Sequence, residues 1–120
     1  MKSKNGRYTI SFNGEIYNYK ELKKELNSSG YDLTWEGHSD TEVLLAQIQI
    51  YGLKKTLKKI NGMFAFALYD IKKQKLYLVR DRLGIKPLFY YINNNSFSFG
   101  SEIKSLKKFF DFLVKIQYRL

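Results

Sequence analysis

The stretch Arg7-Tyr8-Thr9-Ile10-Ser11-Phe12-Asn13-Gly14-Glu15-Ile16-Tyr17-Asn18-Tyr19 decides how the chain is read. Tyr8, Ile10 and Phe12 alternate with Thr9 and Ser11, the period of a strand with one buried face. Asn13-Gly14 punctuates a strand end, and such a pair normally leads into a hairpin. The next residues carry a helical pattern instead. Tyr19, Leu22 and Leu26 share one helical face, Glu21 stands three residues after Asn18 as in a capping box, and Gly30 supplies a stop. The expectation is a strand ending at Phe12, a connection through Asn13 and Gly14, and a helix opening at Asn18.

Working outward, Tyr31 to Leu33 reads as a short strand. Ser39 and Glu42 form a second capping box that launches an apolar helix through Val43, Leu44, Leu45, Ile48 and Tyr51 to Gly52. The mixture of apolar positions implies burial on more than one face. Leu53 to Lys59 is a short basic turn or helix. The character then changes to β: Phe64 to Asp70, Lys75 to Arg80, Leu88 to Ile92 and Phe97 to Phe99 are strand-like, with hairpin turns at Asp70 to Gln74 and Asn93 to Asn95. Gly84 and Pro87 mark a tighter irregular link over Asp81 to Pro87, and a last helix is expected near Ser101. This order implies an α+β layered domain with antiparallel strands and no internal repeat.

The 120 residues suffice for one domain at most. With 44% hydrophobic and 17% aromatic residues, the chain carries enough apolar surface to fold, which excludes global disorder. It has no cysteine, so these residues supply no disulfide, thiolate zinc ligand or thiol nucleophile. The net charge of +10 invites a nucleic-acid reading. Of the 21 cations, however, only Arg7, Arg80, Arg82 and Arg119 are arginine, the residue favoured for bidentate recognition, and the lysines are dispersed as local pairs. No nucleic-acid reader motif accompanies them, so no specific nucleic-acid partner is expected. Met1 to Arg7 lacks an apolar targeting core, and the apolar runs Met63 to Tyr69 and Phe109 to Ile116 fall far short of the roughly 20 residues of a membrane span. A cytoplasmic chain with no membrane partner is the expectation.

Two polar clusters could carry chemistry. Asn13 and Gly14 read either as a plain turn or as paired donors, an amide and a backbone N–H, able to meet the oxyanion of an acyl-transfer intermediate. Asp40, in Ser39-Asp40-Thr41-Glu42, could hold an ammonium group or simply complement the helix dipole. His38 reads as an exposed loop residue and Met63 to Tyr69 as core. Arg80, Asp81 and Arg82 read as an ion-pair cluster fixing the link to Pro87, with a contact to another domain as the alternative.

The segments Phe12 to Tyr19, Ser39 to Leu45, Gly62 to Asp70, Arg80 to Tyr90 and Phe99 to Lys104, in this order and at this spacing, resemble the glutaminase domain of glutamine-hydrolysing asparagine synthetases. Ser-Asp-Thr-Glu is common to class II glutamine amidotransferases. The Asn13 to Asn18 and Arg80 to Tyr90 blocks are closer to asparagine synthetase itself. The resemblance implies an N-terminal-nucleophile hydrolase fold, an αββα sandwich with antiparallel sheets, present here in part. It also implies glutamine as substrate, whose hydrolysis supplies ammonia for amidation of aspartate. By position it assigns Asn13 and Gly14 to the oxyanion hole, Glu15 to the glutamine pocket and Asp40 to the substrate amino group. No cofactor or metal is expected on these residues, since ATP and Mg belong to a separate synthetase domain.

The family's cysteine nucleophile and an upstream Arg-Gly-Pro-Asp segment precede the part that matches. The resemblance therefore implies a partial glutaminase domain over residues 1–106, truncated at both ends, with 107–120 as a linker start or tail. Alone it is expected to be inactive, needing a synthetase domain or complementing chain. The alternative is a non-catalytic truncated product or pseudoenzyme acting at most as a protein-binding module.

Overall fold

A computed structural model describes residues 1–92, 94 and 96–107 of the chain. Strand β1 (Tyr8–Ile16) leads to helices α1 (Tyr19–Ser28), α2 (Asp40–Tyr51) and α3 (Leu53–Lys59). Strands β2 (Gly62–Asp70) and β3 (Lys75–Arg80) come next, then the hairpin β4 (Phe89–Ile92) and β5 (Phe97–Gly100), and α4 (Ile103–Lys107). One antiparallel sheet has the order β1-β2-β3, and β4 pairs antiparallel with β5 in a second. The expected α+β class with antiparallel sheets is what the chain adopts.

Alternation along β1 and β2 sorts the layers. Ile10, Phe12 and Gly14 stand opposite Leu68, Phe66 and Phe64 and face the helices, where Leu22, Leu26, Val43, Leu44 and Ile48 complete the core. Burying a side chain such as Leu26 or Ile48 fully contributes about 1.5–3 kcal/mol. On the other face Ser11 and Asn13 stand opposite Ala67 and Ala65 and, with Phe99 and Gly100 of the second sheet and the flanking Leu88 and Ser101, line a cavity of about 270 Å³. β2 is thus covered on both sides, which accounts for the unbroken apolar run Phe64 to Leu68.

Several boundaries differ from the sequence expectation. β1 does not stop at Phe12: Asn13, Gly14, Glu15 and Ile16 continue it, paired with Ala65, Phe64, Met63 and Gly62. Gly14 has φ +142, and a Cβ there would lie 2.1 Å from the Met63 carbonyl oxygen. Gly62 is equally tight, at 2.1 Å from the Glu15 oxygen. These glycines let the two strands close together, so cross-strand pairing overrides the turn preference of Asn-Gly.

Asn18 makes no side-chain cap on α1. Its amide instead donates to the Lys59 carbonyl and its oxygen accepts from Asn61 N–H, at 2.8 and 2.9 Å, tying the helix start to the start of β2. Tyr31 to Leu33 is irregular, because it meets no strand edge to pair with; Met1 to Ser3 line the outer edge of β1 at Tyr8 to Ile10. The Ser39 cap forms, its hydroxyl accepting from Glu42 N–H, while the Glu42 carboxylate turns to Glu36 and Gly37 N–H. α4 starts at Ile103, two residues later than read. The turn at Asn93 to Asn95 and the tail beyond Lys107 lie largely or wholly outside the described residues. Among those described, no helix is long and apolar enough to cross a membrane.

Candidate active site

The sheet end where β1 leaves for α1 gathers the polar residues singled out by sequence. Asn13, Gly14 and Glu15 succeed one another on β1, with Asn13 and Glu15 exposed on the face away from the helices. Asn13 lines the 270 Å³ cavity, and its amide donates to the Ser101 hydroxyl at 3.3 Å.

The orientation of Gly14 is set by its neighbour. Phe64 turns both polar groups toward Asp81 on the β3 side, its N–H donating to Asp81 Oδ2 at 3.2 Å and its carbonyl accepting from Asp81 N–H at 2.7 Å. Gly14 and Phe64 therefore face each other as a non-hydrogen-bonded pair, and strand alternation directs the Gly14 N–H to the outer edge of β1. The Ile16 N–H points to the same edge and donates to Asp40 Oδ2 at 2.8 Å. Asp40 opens α2, and its other oxygen accepts from the Thr41 hydroxyl at 3.4 Å. Two stations result along one strand edge, a donor at Gly14 and a carboxylate at Ile16. Residues i and i+2 of a strand are about 6.8 Å apart.

Gly14, Glu15 and Asp40 lie outside the lining of the Asn13 cavity, so the four residues share a strand end without sharing one pocket. A larger cavity of about 440 Å³ lies between Met1–Lys4, Leu33–Gly37 and α2, and none of the four lines it. His38 is exposed before the Ser39 cap, as expected. Among the described residues no three His, Asp or Glu side chains gather to hold a metal ion.

The Arg80–Pro87 link, which the sequence marked as a charged cluster, is held by hydrogen bonds from side chains to backbone. Buried Asp81 accepts from the N–H groups of Phe64, Leu83, Ile85 and Lys86, and Arg80 donates to the carbonyls of Gly84 and Lys86. Burial alone would raise the Asp81 pKa, but the four donors outweigh it and hold the carboxyl below its ordinary range. Asp81 and Ser101 are the residues of this region whose contacts sequence reasoning missed. For Asp81 the signal was the Asp-x-x-Gly spacing of an Asx-type turn. Ser101 carried none beyond its place at a helix start.

Residues 1–119 match the family described as "Glutamine amidotransferase domain". The chain belongs to this glutamine amidotransferase domain family. Among curated relatives, the amidotransferase domain is 48% identical over 103 residues to "Asparagine synthetase [glutamine-hydrolyzing] 3" of Bacillus subtilis, covering 86% of this chain and 16% of the relative. It is 45% identical over 97 residues to "Putative asparagine synthetase [glutamine-hydrolyzing] 2" of Methanocaldococcus jannaschii, covering 81% and 18%. The chain thus spans under a fifth of the length of these relatives. A solved structure of the glutamine phosphoribosylpyrophosphate amidotransferase of B. subtilis superposes with a TM-score of 0.72, at 24% identity, over 89% of this chain and 24% of that one. The fold is therefore that of the N-terminal-nucleophile amidotransferases, as the sequence resemblance implied.

Proposed function

We propose that the amidotransferase domain is part of a glutamine-dependent asparagine synthetase and forms the floor of its glutaminase site. In this reading a thiolate attacks the side-chain amide carbon of glutamine. The Asn13 amide and Gly14 N–H stabilise the resulting oxyanion, ammonia leaves, and water then releases glutamate from the thioester. Asp40 binds the substrate ammonium and Glu15 lines the glutamine pocket. The 120 residues contain no cysteine, so the thiol and the α-amino group that serves as its base come from outside them. Amidation of aspartate, with ATP and Mg, belongs to a further synthetase domain supplied in cis or by a complementing chain.

The observation that carries the reading is the spacing on the β1 edge. The Gly14 and Ile16 N–H groups, the second holding the Asp40 carboxylate at 2.8 Å, recur about 6.8 Å apart along an ideal strand. Extended glutamine separates its amide oxygen from its α-nitrogen by about 6 Å, and asparagine is shorter by one bond's reach. L-Glutamine titrated into the isotope-labelled chain should perturb the Gly14 and Ile16 amide signals. Asp40→Asn should weaken that response, and L-asparagine should reproduce it poorly. Equal responses to both amino acids, or a silent Gly14, would overturn the assignment. A second reading, a non-catalytic protein-binding module, rests on the absent cysteine and predicts no response to either amino acid.

A further inference from the structure

Asp81 stands on the far side of β2 from the Asn13–Gly14 pair and has no place in the glutaminase chemistry. It nevertheless grips the residue beneath Gly14 at both backbone atoms. The Phe64 N–H and carbonyl are both bound to Asp81, and the Phe64 Cα would lie 2.7 Å from a Cβ built on Gly14. The row Gly14, Phe64, Asp81 therefore crosses the sheet as one contact chain. The same carboxylate holds Leu83, Ile85 and Lys86, the loop that leads through Leu88 into β4, β5 and Ser101, the partner of the Asn13 amide. Leu83 is 85% exposed and Ile85 55%, so apolar burial does not hold this loop in place; its internal hydrogen bonds do.

We propose that Asp81 is a positioning residue for the oxyanion-binding pair, setting Gly14 through Phe64 and Asn13 through the Leu88–Ser101 arm. The role given to that pair rests on the proposed glutaminase function, but the positioning geometry does not. Asp81 touches neither donor, so its effect must appear as displacement of both at once.

The test is the isotope-labelled full chain carrying Asp81→Asn, an isostere that keeps one carbonyl oxygen and loses the charge. Expected are changes in the Gly14 amide and Asn13 side-chain amide signals larger than those of Thr9 on the same strand. Hydrogen exchange at the Phe64 amide should rise about tenfold beyond any global change. A merely structural contribution would raise exchange by one factor everywhere and leave Gly14 and Asn13 moving no more than Thr9, which would overturn the proposal. Should Asp81→Asn not fold, Gly84→Ala strains the same loop at φ +63, where the added Cβ would stand 3.2 Å from the Arg80 guanidinium carbon, and the same selective displacement is expected. Selective movement of Gly14 in a chain whose spectrum ignores L-glutamine would uphold positioning and refute the glutaminase reading. A glutamine response in the parent, with Gly14 unmoved in both variants, would do the reverse.

Discussion

Replacing glycine by alanine at three positions separates two costs that coincide at Gly14. Gly6 has φ +72 and open space where a Cβ would stand, so Gly6→Ala meets only the conformational penalty, about 1 kcal/mol. Gly62 has ordinary φ, but its Cβ would lie 2.1 Å from the Glu15 oxygen, more than an ångström inside van der Waals contact. β1 and β2 must part locally, at about 2 kcal/mol in strain and weakened ladder bonds. Gly14 combines both, with φ +142 and a Cβ 2.1 Å from the Met63 oxygen, for about 3 kcal/mol. Urea titration at fixed ionic strength, with m-values compared to exclude a changed denatured state, reads all three. The ordering Gly14 > Gly62 > Gly6 is expected. A Gly14→Ala cost no greater than that of Gly6→Ala would refute the close strand pairing at the site.

Three further outcomes are expected. The Arg7 guanidinium donates to both Asp70 oxygens at 2.9 and 2.8 Å and, with the Lys72 and Lys73 N–H groups, holds the Asp70 pKa at about 2 against the opposing effect of burial. A lowered carboxyl pKa stabilises the fold above the unfolded value of about 3.9, and this contribution is lost as pH falls through about 2. Thermal melts over that window should therefore fall more steeply for the parent than for Asp70→Asn; parallel slopes would refute the assignment. Ser39→Ala removes the α2 cap and should cost about 1 kcal/mol in urea titration, whereas Asn18→Ala should act through its ties to Lys59 and Asn61. Unfolding of Asn18→Ala should accordingly expose Tyr17 and Asn61 amides to exchange before those in the middle of α1, and the opposite order would restore Asn18 as an ordinary cap.

The helices and central strands were legible because their patterns are strong. Leu22 and Leu26 fall at helical spacing, Ser39 caps as Ser-x-x-Glu predicts, and β3 runs over the expected Lys75 to Arg80. The misreadings share a physical cause, in that a local preference was outvoted by a partner distant in sequence. Asn13-Gly14 favours a turn until Met63 and Phe64 pair against it, and Asn18 favours a cap until Asn61 and Lys59 claim its side chain. Tyr31 to Leu33 has strand-like residues and no edge to join. The site residues were named through family resemblance. Their shared strand edge, and the Asp81 brace beneath them, depend on the register of β1 on β2, which no single segment encodes.

The central claim is that the end of β1 presents Asn13 and Gly14 as an oxyanion-binding pair beside Asp40. The direct test places these 120 residues behind a supplied N-terminal segment that opens with Met-Cys-Gly and measures glutamate released from L-glutamine. Release is expected in the parent. Asn13→Ala should cut turnover by about 10²–10³, while Asp40→Asn should raise KM more than it lowers kcat. Turnover that survives Asn13→Ala unchanged would contradict the account.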